Sequence, residues 1–201
     1  MSETKLECHG LPCPQPVLRC KDAVEGQNPE RIVVIVDNDA ARENVSRFLG
    51  TRGYAVETSQ AGGDHILTGT RTGASAPGPA HGGDNAPATG QRLLVFISAD
   101  TVGSGDDALG GRLMFNFLST LKEMGNELWR IILVNGGVRL SVPGSPCLEQ
   151  LQTLEKAGVS VLVCGTCLEH FGLTGDRRVG QTTNMLDVVT SFQLATKTVH
   201  V

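Results

Sequence analysis

One stretch between residues 70 and 91 limits the fold more than any other feature, because it divides the chain into two halves. It is dominated by Gly, Pro, Ala and Thr, and three of its residues are proline. Such a composition cannot bury enough apolar surface to offset the entropy lost on ordering, and it is typical of a flexible linker. We therefore predict two domains, residues 1–69 and 92–201, joined by a linker at 70–91. In a chain of 201 residues, each half is close to the size at which one hydrophobic core suffices.

A cysteine next to two prolines opens the first predicted helix. Pro14 and Pro16 follow Cys13, and apolar residues then recur at helical spacing from Val17 onwards. Proline is tolerated in the first turn of a helix, where the N–H groups have no partner within the helix. We expect Cys13 to face these unpaired N–H groups and the positive end of the helix dipole, which lower the pKa of a thiol. Because the thiolate is the form that attacks sulfur, Cys13 is the first candidate nucleophile.

Strand and helix signals alternate along the first half. Residues 4–8 predict a strand, residues 13–25 a helix that ends at Gly26, and the β-branched run 31–36 a buried central strand. Asp39 is expected to cap a second helix, and a turn at 61–64 to join two closing strands as a hairpin. The order βαβαββ predicts a two-layer domain of sheet and helix.

Residues 6–17, which read Leu-Glu-Cys-His-Gly-Leu-Pro-Cys-Pro-Gln-Pro-Val, carry a family resemblance. They resemble the signature of TusA/SirA-like sulfur-carrier domains, a Cys-Pro-x-Pro motif at the start of a helix. The resemblance extends over roughly residues 1–70 and implies the same βαβαββ fold. It also implies that Cys13 accepts a sulfur atom as a persulfide and passes it on, with Pro14 and Pro16 as the part of the motif that opens the helix.

The second half alternates strands and helices at a spacing typical of a parallel sheet. The predicted strands cover residues 92–98, 129–134, 159–164 and 196–201. The predicted helices carry Leu109, Leu113, Phe117 and Leu121, then Leu148, Leu151 and Leu154, then Met185, Val188, Val189 and Phe192. Residues 165–183 are expected to form a long loop. This order predicts an α/β domain, an open parallel sheet with helices on both faces and a functional site at the carboxyl ends of the strands.

The pair Cys164 and Cys167 lies where such a site is expected. Cys164 is predicted as the last residue of the third strand and Cys167 as part of the following loop, so that Cys167 is the better candidate nucleophile. His170 could act as a base or as a cation beside a thiolate, but Phe171 next to it makes a packed histidine an equal alternative. Cys147 falls in the first turn of a predicted helix, which would activate it, although a bystander thiol is the default interpretation.

This half resembles the DsrE-like sulfur-relay domains, open parallel sheets with a reactive cysteine in a loop. With Cys-Gly-Thr-Cys at 164–167 and Val-Gly-Gln-Thr-Thr-Asn-Met at 179–185, the whole chain resembles the YedF proteins, which are sulfurtransferase-like and linked to selenium metabolism. The resemblance implies that Cys13 takes sulfur or selenium from a donor such as a cysteine desulfurase and delivers it to an acceptor protein, with Cys167 as a candidate intermediate. It also implies a homo-oligomer formed through the DsrE-like half.

Composition narrows the class of protein further. The net charge is −4, no long run of one sign occurs, and only 4% of the residues are aromatic, which argues against a nucleic-acid binder. No signal-peptide pattern or 18-residue apolar stretch is present, so we expect a cytoplasmic protein without membrane insertion. In a reducing compartment, the six cysteines are expected to be reactive, metal-binding or buried rather than paired as disulfides.

Three other functions stay open at this point. Cys164 and Cys167 could cycle as a thiol–disulfide oxidoreductase, but the residues after them do not show a helical pattern, and such pairs usually open a helix. The same two thiols with His170 and an outside thiol could hold zinc, yet this is half of a zinc site, and we expect neither metal nor cofactor. A non-catalytic adaptor whose two domains bind partners is the third alternative.

Overall fold

The computed structural model describes residues 2–72 and 90–201. The chain forms two compact units, Met1–Ala80 and His81–Val201. Most of the predicted linker at 70–91 lies outside the described residues, so the linker stays a prediction. Among the helices of the described ranges, none is long and apolar enough to cross a membrane.

The first unit is a four-stranded sheet with two helices, in the predicted order βαβαββ. The strands lie in the order β1-β2-β4-β3, with β1 parallel to β2 and the other neighbours antiparallel. The elements are β1 (Glu3–Glu7), α1 (Gln15–Gln27), β2 (Arg31–Val36), α2 (Asp39–Thr51), β3 (Tyr54–Ala61) and β4 (Asp64–Arg71).

Strand β2 is buried on one face only, whereas the sequence predicted burial on both. Ile32, Val34 and Val36 are fully buried, but Val33 and Ile35 between them are half-buried. The reason is the two-layer arrangement, since α1 and α2 pack against each other and cover one face of the sheet, where Ile32 of β2 and Leu49 of α2 both lie next to Gly69 of β4.

The helix ends of the first unit differ slightly from the prediction. Helix α1 continues past Gly26 and ends at Gln27. Its C-cap Asn28 adopts a left-handed conformation with φ +46° and donates its N–H to the Val24 carbonyl. Helix α2 is capped by Asn38, whose side chain accepts the Ala41 N–H at 2.8 Å, so the expected cap at Asp39 is wrong by one residue.

The loop between β1 and α1 is tied to the neighbouring strand β2. The Cys8 N–H continues the parallel pairing by donating to the Ile35 carbonyl at 2.9 Å. Two residues later, the Gly10 N–H donates to the Asp37 carboxylate at 2.6 Å, from a backbone with φ +62° that favours glycine. This hydrogen bond is the main reason why the pKa of Asp37 lies below its usual value. The end of β2 therefore fixes the course of the loop.

The second unit is a five-stranded, fully parallel sheet in the order β8-β7-β6-β5-β9. Every residue of its central strand is buried, as expected for a sheet with helices on both faces. The elements are β5 (Leu93–Ile97), α3 (Asp107–Thr120), β6 (Leu128–Leu133), α4 (Leu148–Lys156), β7 (Ser160–Cys164), α5 (Gly165–His170), β8 (Gln181–Thr183), α6 (Met185–Leu194) and β9 (Lys197–His200). Short 3-10 helices at Leu121–Glu127 and Asn135–Ser141 complete it.

The long loop predicted at residues 165–183 is wrong at both of its ends. Residues Gly165–His170 form helix α5, and residues Gln181–Thr183 form the edge strand β8, which pairs with β7. The two elements have six and three residues, too few for hydrophobic periodicity to show.

Two helices present different faces to the core than their apolar residues predicted. Helix α3 buries Gly110, Met114 and Leu118, and leaves Leu109 and Leu113 exposed at 47% and 42%. Gly110 explains the rotation, because a Cβ there would lie 2.9 Å from the Thr101 Cβ, so that only glycine allows this close approach. Helix α6 likewise buries Val188 and Ser191, leaves Leu186 half-buried and exposes Met185, Val189, Phe192 and Leu194.

Replacing Asp37 tests the anchor of the β1–α1 loop. We expect Asp37→Ala to lower the free energy of unfolding at pH 7 by roughly 0.5–1 kcal/mol, because one charge-assisted hydrogen bond at an exposed site is lost. Since folding lowers the pKa of Asp37, its contribution is present above the unfolded value near 3.8 and disappears as the pH falls through the lower folded value. Urea denaturation at pH 7 and below pH 3.8 measures both effects.

Asp22→Ala, at an exposed position of α1, is the matched control. If the loss of stability in Asp37→Ala were the same at both pH values, or no larger than in Asp22→Ala, the anchor would play no role in stability.

Candidate functional site

Cys13 lies in the loop between β1 and α1, two residues before the helix begins, and its side chain is exposed. The peptide bond between Cys13 and Pro14 is cis. Because β1 runs parallel to β2, this loop stands at the carboxyl ends of both strands. The fold therefore presents this thiol to solvent at an edge of the sheet.

The amides of the first turn of α1 do not stand free, contrary to the prediction. Pro14 and Pro16 have no N–H to offer. The N–H groups of Gln15 and Val17 each donate to the carbonyl three residues earlier, at 2.8 and 3.0 Å. The expected group of unpaired amides facing Cys13 is therefore wrong. The helix start also offers negative charge on the sulfur exposure to water and the dipole of a 13-residue helix.

Burial separates Cys13 from the two other thiols of the first unit. Cys8 and Cys20 are 1% and 0% exposed, and burial raises the pKa of both thiols above the ordinary value. Cys20 belongs to the core, as its position on the apolar stripe of α1 predicted. A neutral, buried thiol is a poor nucleophile, so neither Cys8 nor Cys20 competes with Cys13 for an incoming sulfur atom.

A histidine between two carboxylates lies in the same loop, although no sequence pattern predicts it. His9 places Nε2 3.4 Å from the Glu7 carboxylate and Nδ1 3.3 Å from that of Asp64. Asp64 opens β4, which is far from His9 in sequence but flanks β2 on the side opposite to β1. Only the strand order brings these residues together, and no local motif signals it. The contacts join the Cys13 loop to the β3–β4 turn.

The pair Cys164 and Cys167 opens helix α5 directly after strand β7. Cys164 is the last residue of β7 and is only 7% exposed, whereas Cys167 lies in the first turn of α5 and is half-buried. The expectation that Cys167 stands in a loop is therefore wrong. Neither is joined in a disulfide, and Cys167 is the more accessible of the two.

The sulfur of Cys167 accepts a backbone hydrogen bond from the neighbouring strand end. The Asn135 N–H, just after β6, donates to Cys167 Sγ at 3.1 Å. Asn135 has a left-handed backbone with φ +46°, and Gly137 has no room for a side chain, since a Cβ would lie 2.6 Å from the Ile97 carbonyl oxygen. This tight turn aims the amide at the sulfur, orients it and provides a donor for negative charge on it.

His170 is not positioned to act as a base for Cys167. It is exposed, and its ring meets the Phe171 ring edge-on with the centroids 5.0 Å apart. Within residues 90–201, no hydrogen bond or ion pair joins His170 to Cys167. This geometry matches the alternative prediction of a packed histidine.

Cys147 is also placed differently from the prediction. It caps α4 instead of lying within its first turn, and it is 1% exposed. Burial raises the pKa of the Cys147 thiol, which agrees with the default interpretation of a bystander thiol and not with activation by a helix start. In the part of the chain that the structure describes, no three His, Cys, Asp or Glu side chains form a group that could hold a metal ion.

Two adjacent glycines allow a matched test of the turn that holds Cys167. We expect Gly137→Ala to cost about 1–3 kcal/mol of stability and to slow alkylation of Cys167, because the new Cβ pushes the turn and its amide away from the sulfur. Gly136→Ala is the control, since its Cβ meets its nearest atom at an ordinary 3.5 Å. Peptide mass mapping after timed alkylation gives the rate at Cys167. Equal rates in the two variants would show that the Asn135 amide does not govern this thiol.

Comparisons with known proteins assign each unit to a family. The family model described as Sulfurtransferase TusA matches residues 4–71, and the model of the DsrE/DsrF-like family matches residues 97–199. A protein of Methanocaldococcus jannaschii named "Putative sulfur carrier protein" is 43% identical over 53 residues, which cover 26% of this chain and 71% of that protein.

Two solved structures are similar to parts of the chain. The SirA-like protein from Desulfitobacterium hafniense shares 28% identity with a TM-score of 0.31, over 33% of this chain and 95% of that one. The ychN protein from E. coli shares 17% identity with a TM-score of 0.44, over 55% of this chain and 99% of that one. From the family models, which agree with the fold of each unit, the chain belongs to the DsrE/DsrF-like family and carries a TusA/SirA-like domain ahead of the DsrE-like one.

Proposed function

We propose that this protein is a carrier of sulfur in which Cys13 takes up the atom as a persulfide and passes it on. The observation that carries the proposal is the exposure of Cys13 beside two buried thiols, Cys8 and Cys20. Both domains come from sulfur-relay families, and a relative of the first domain is named as a sulfur carrier. A carrier needs a thiol that other proteins can reach, and the β1–α1 loop supplies one.

The transfer is an exchange between a thiolate and a persulfide. The Cys13 thiolate attacks the outer sulfur of a donor persulfide, the S–S bond of the donor breaks, and the donor cysteine leaves as a thiolate. Cys13 then holds the outer sulfur, and an acceptor thiolate removes it by the same exchange, which returns Cys13 as a thiolate. No external oxidant or reductant is needed, because one S–S bond forms for each one that breaks.

Cys167 is proposed as a further carrier, which receives the sulfur atom from Cys13 or from a separate donor. Its half-buried sulfur and the Asn135 amide directed at it support this role. Cys164 is more deeply buried and is proposed as an auxiliary thiol of the pair. The proposal gives His170 no step, since its ring packs against Phe171.

The finer parts of the proposal rest on the resemblance to YedF proteins and on surface chemistry. We propose that selenium can take the place of sulfur, that the donor is a protein such as a cysteine desulfurase, and that the acceptor is another protein of a cytoplasmic relay. We also propose a homo-oligomer through the second unit. Met185, Val189 and Phe192 support it, because they form an exposed apolar stripe on α6 at helical spacing.

Persulfide mapping tests the proposed role of Cys13. After incubation with a cysteine desulfurase and cysteine, we expect a mass increase of one sulfur atom on the Cys13 peptide of the wild-type protein. In Cys13→Ala, the first unit should gain no sulfur, whereas Cys8→Ala, which removes a buried thiol, should still load Cys13. Intact-mass and peptide mass spectrometry measure both, and the same experiment with a selenium donor tests selenium.

Loading of Cys8 or Cys20 instead of Cys13 would contradict the proposal. So would an unmodified Cys13 in protein that proves to be folded by circular dichroism.

A thiol–disulfide oxidoreductase is the second candidate, and one observation favours it. The Cys164–Cys167 pair does open a helix after a strand, the arrangement typical of redox pairs, although the sequence predicted a loop there. If this function is correct, oxidation should join Cys164 and Cys167 in a disulfide with a reduction potential between about −270 and −120 mV. Equilibration with glutathione buffers measures the potential, and Cys147→Ala, which removes a buried thiol, is the control. A pair that stays reduced throughout that range would exclude this function.

A further inference from the structure

A cleft of about 680 Å³ lies in the second unit, at the carboxyl ends of the parallel strands. Its walls come from the segment after β5, from the 3-10 helix and loop after β6, and from the residues that follow α5. The volume falls within the range of about 300–1,000 Å³ that is typical of small-molecule sites. In open parallel sheets, this crevice is the usual place for a ligand.

Two opposite charges line this cleft without neutralising each other. Arg139 and Asp100 both contribute to the walls, yet their charged atoms do not come within the 4.0 Å of an ion pair. Within the described residues, neither Arg139 nor Asp100 forms an ion pair with any other side chain. The Arg139 guanidinium lies over the Phe171 ring, 4.6 Å from its centroid, which holds the cation in place on the wall. The rest of the lining is largely apolar, including Leu140, Val142 and Leu173.

Cys167 lies one helical turn from this cleft. The Phe171 N–H donates to the Cys167 carbonyl at 3.1 Å, and residues four apart on a helix have Cβ atoms about 5–6 Å apart. Cys167 does not itself line the cleft, so a ligand would have to extend past Phe171 to meet its sulfur. The cleft therefore has the volume of a small-molecule site, two separated charges of opposite sign and a thiol one helical turn away.

We propose that this cleft binds a zwitterionic, peptide-sized thiol of the glutathione type. One of its two carboxylates would meet Arg139, its ammonium group would meet Asp100, and its apolar atoms would lie against the walls. A free amino acid is smaller than the cleft, whereas a short peptide fills more of it and can reach Cys167.

The role of the bound thiol as a sulfur acceptor rests on the proposed function, whereas its binding in the cleft does not. If Cys167 carries a persulfide, the thiolate of the bound ligand attacks the outer sulfur. The S–S bond at Cys167 then breaks, Cys167 leaves as a thiolate, and the ligand departs as a persulfide. The cleft would thus make a small thiol an acceptor in the relay.

Calorimetric titration of the full chain with S-methylglutathione tests the site, since the methyl group prevents any sulfur transfer. We expect saturable binding that Arg139→Gln and Asp100→Asn each weaken about tenfold, the effect of losing one charged contact. Lys122→Gln and Glu123→Gln, which change exposed charges outside the cleft, are the matched controls and should bind like the wild type. N-acetyl-S-methylglutathione lacks the ammonium group, so it should bind the wild type about tenfold more weakly than S-methylglutathione does. Asp100→Asn has already lost the partner of that group, so it should bind both probes equally well.

The possible outcomes separate this inference from the proposed function. Absence of binding by the wild type, or equal weakening by the control variants, would overturn the inference. Binding that depends on Arg139 but not on Asp100 would also overturn it, since a simple anion site would explain that result. Because the probe needs no reactive thiol, Cys167→Ala should still bind it, and this holds even if persulfide mapping finds no sulfur on Cys13 or Cys167.

Discussion

Parallel strand pairing is the constraint on which both candidate thiols depend. Because β1 runs parallel to β2, and β7 parallel to β6, the chain leaves neighbouring strands at the same edge of each sheet. The residue that follows the neighbouring strand then contacts the loop or helix that carries the thiol. Asp37 after β2 accepts the Gly10 N–H in the first unit, and Asn135 after β6 donates to Cys167 in the second. Two unrelated sheets thus hold a cysteine by the same topological means.

Burial then sorts the cysteines by chemistry. In an apolar environment the thiolate loses its hydration, so the neutral thiol is favoured and the side chain behaves as a small hydrophobic group. Cys8, Cys20 and Cys147 belong to this class, since burial raises the pKa of each. Cys13 and Cys167 keep contact with solvent. Hence position along a helix is a poor guide to thiol chemistry on its own, as Cys147 illustrates: it stands at a helix start and is nevertheless buried.

Local patterns predicted the order of the elements well, because hydrophobic runs and turn residues are short-range signals. The βαβαββ unit and the open parallel sheet with helices on both faces are both confirmed. What the sequence could not predict depends on pairs that are distant along the chain. The close approach of Gly110 to Thr101 rotates α3 and exposes Leu109, and β8 exists only because β7 offers it an edge. The Asn135 amide at Cys167, the His9 contacts and the cleft beside Arg139 have the same origin, since strand order alone assembles them.

The two candidate sulfur atoms differ in their exposure to solvent, and this difference suits different partners. At Cys13, prolines remove two amide donors, and the remaining amides of the first turn donate to carbonyls. A sulfur atom bound there projects into solvent, where a thiol on the surface of another protein can approach it from a wide range of directions. At Cys167, a backbone amide orients a half-buried sulfur, which narrows the directions of attack. Such a sulfur favours reaction with a small molecule that a cleft has already positioned. The reaction is then fast because the two reacting groups are correctly oriented, and not because the sulfur is widely accessible.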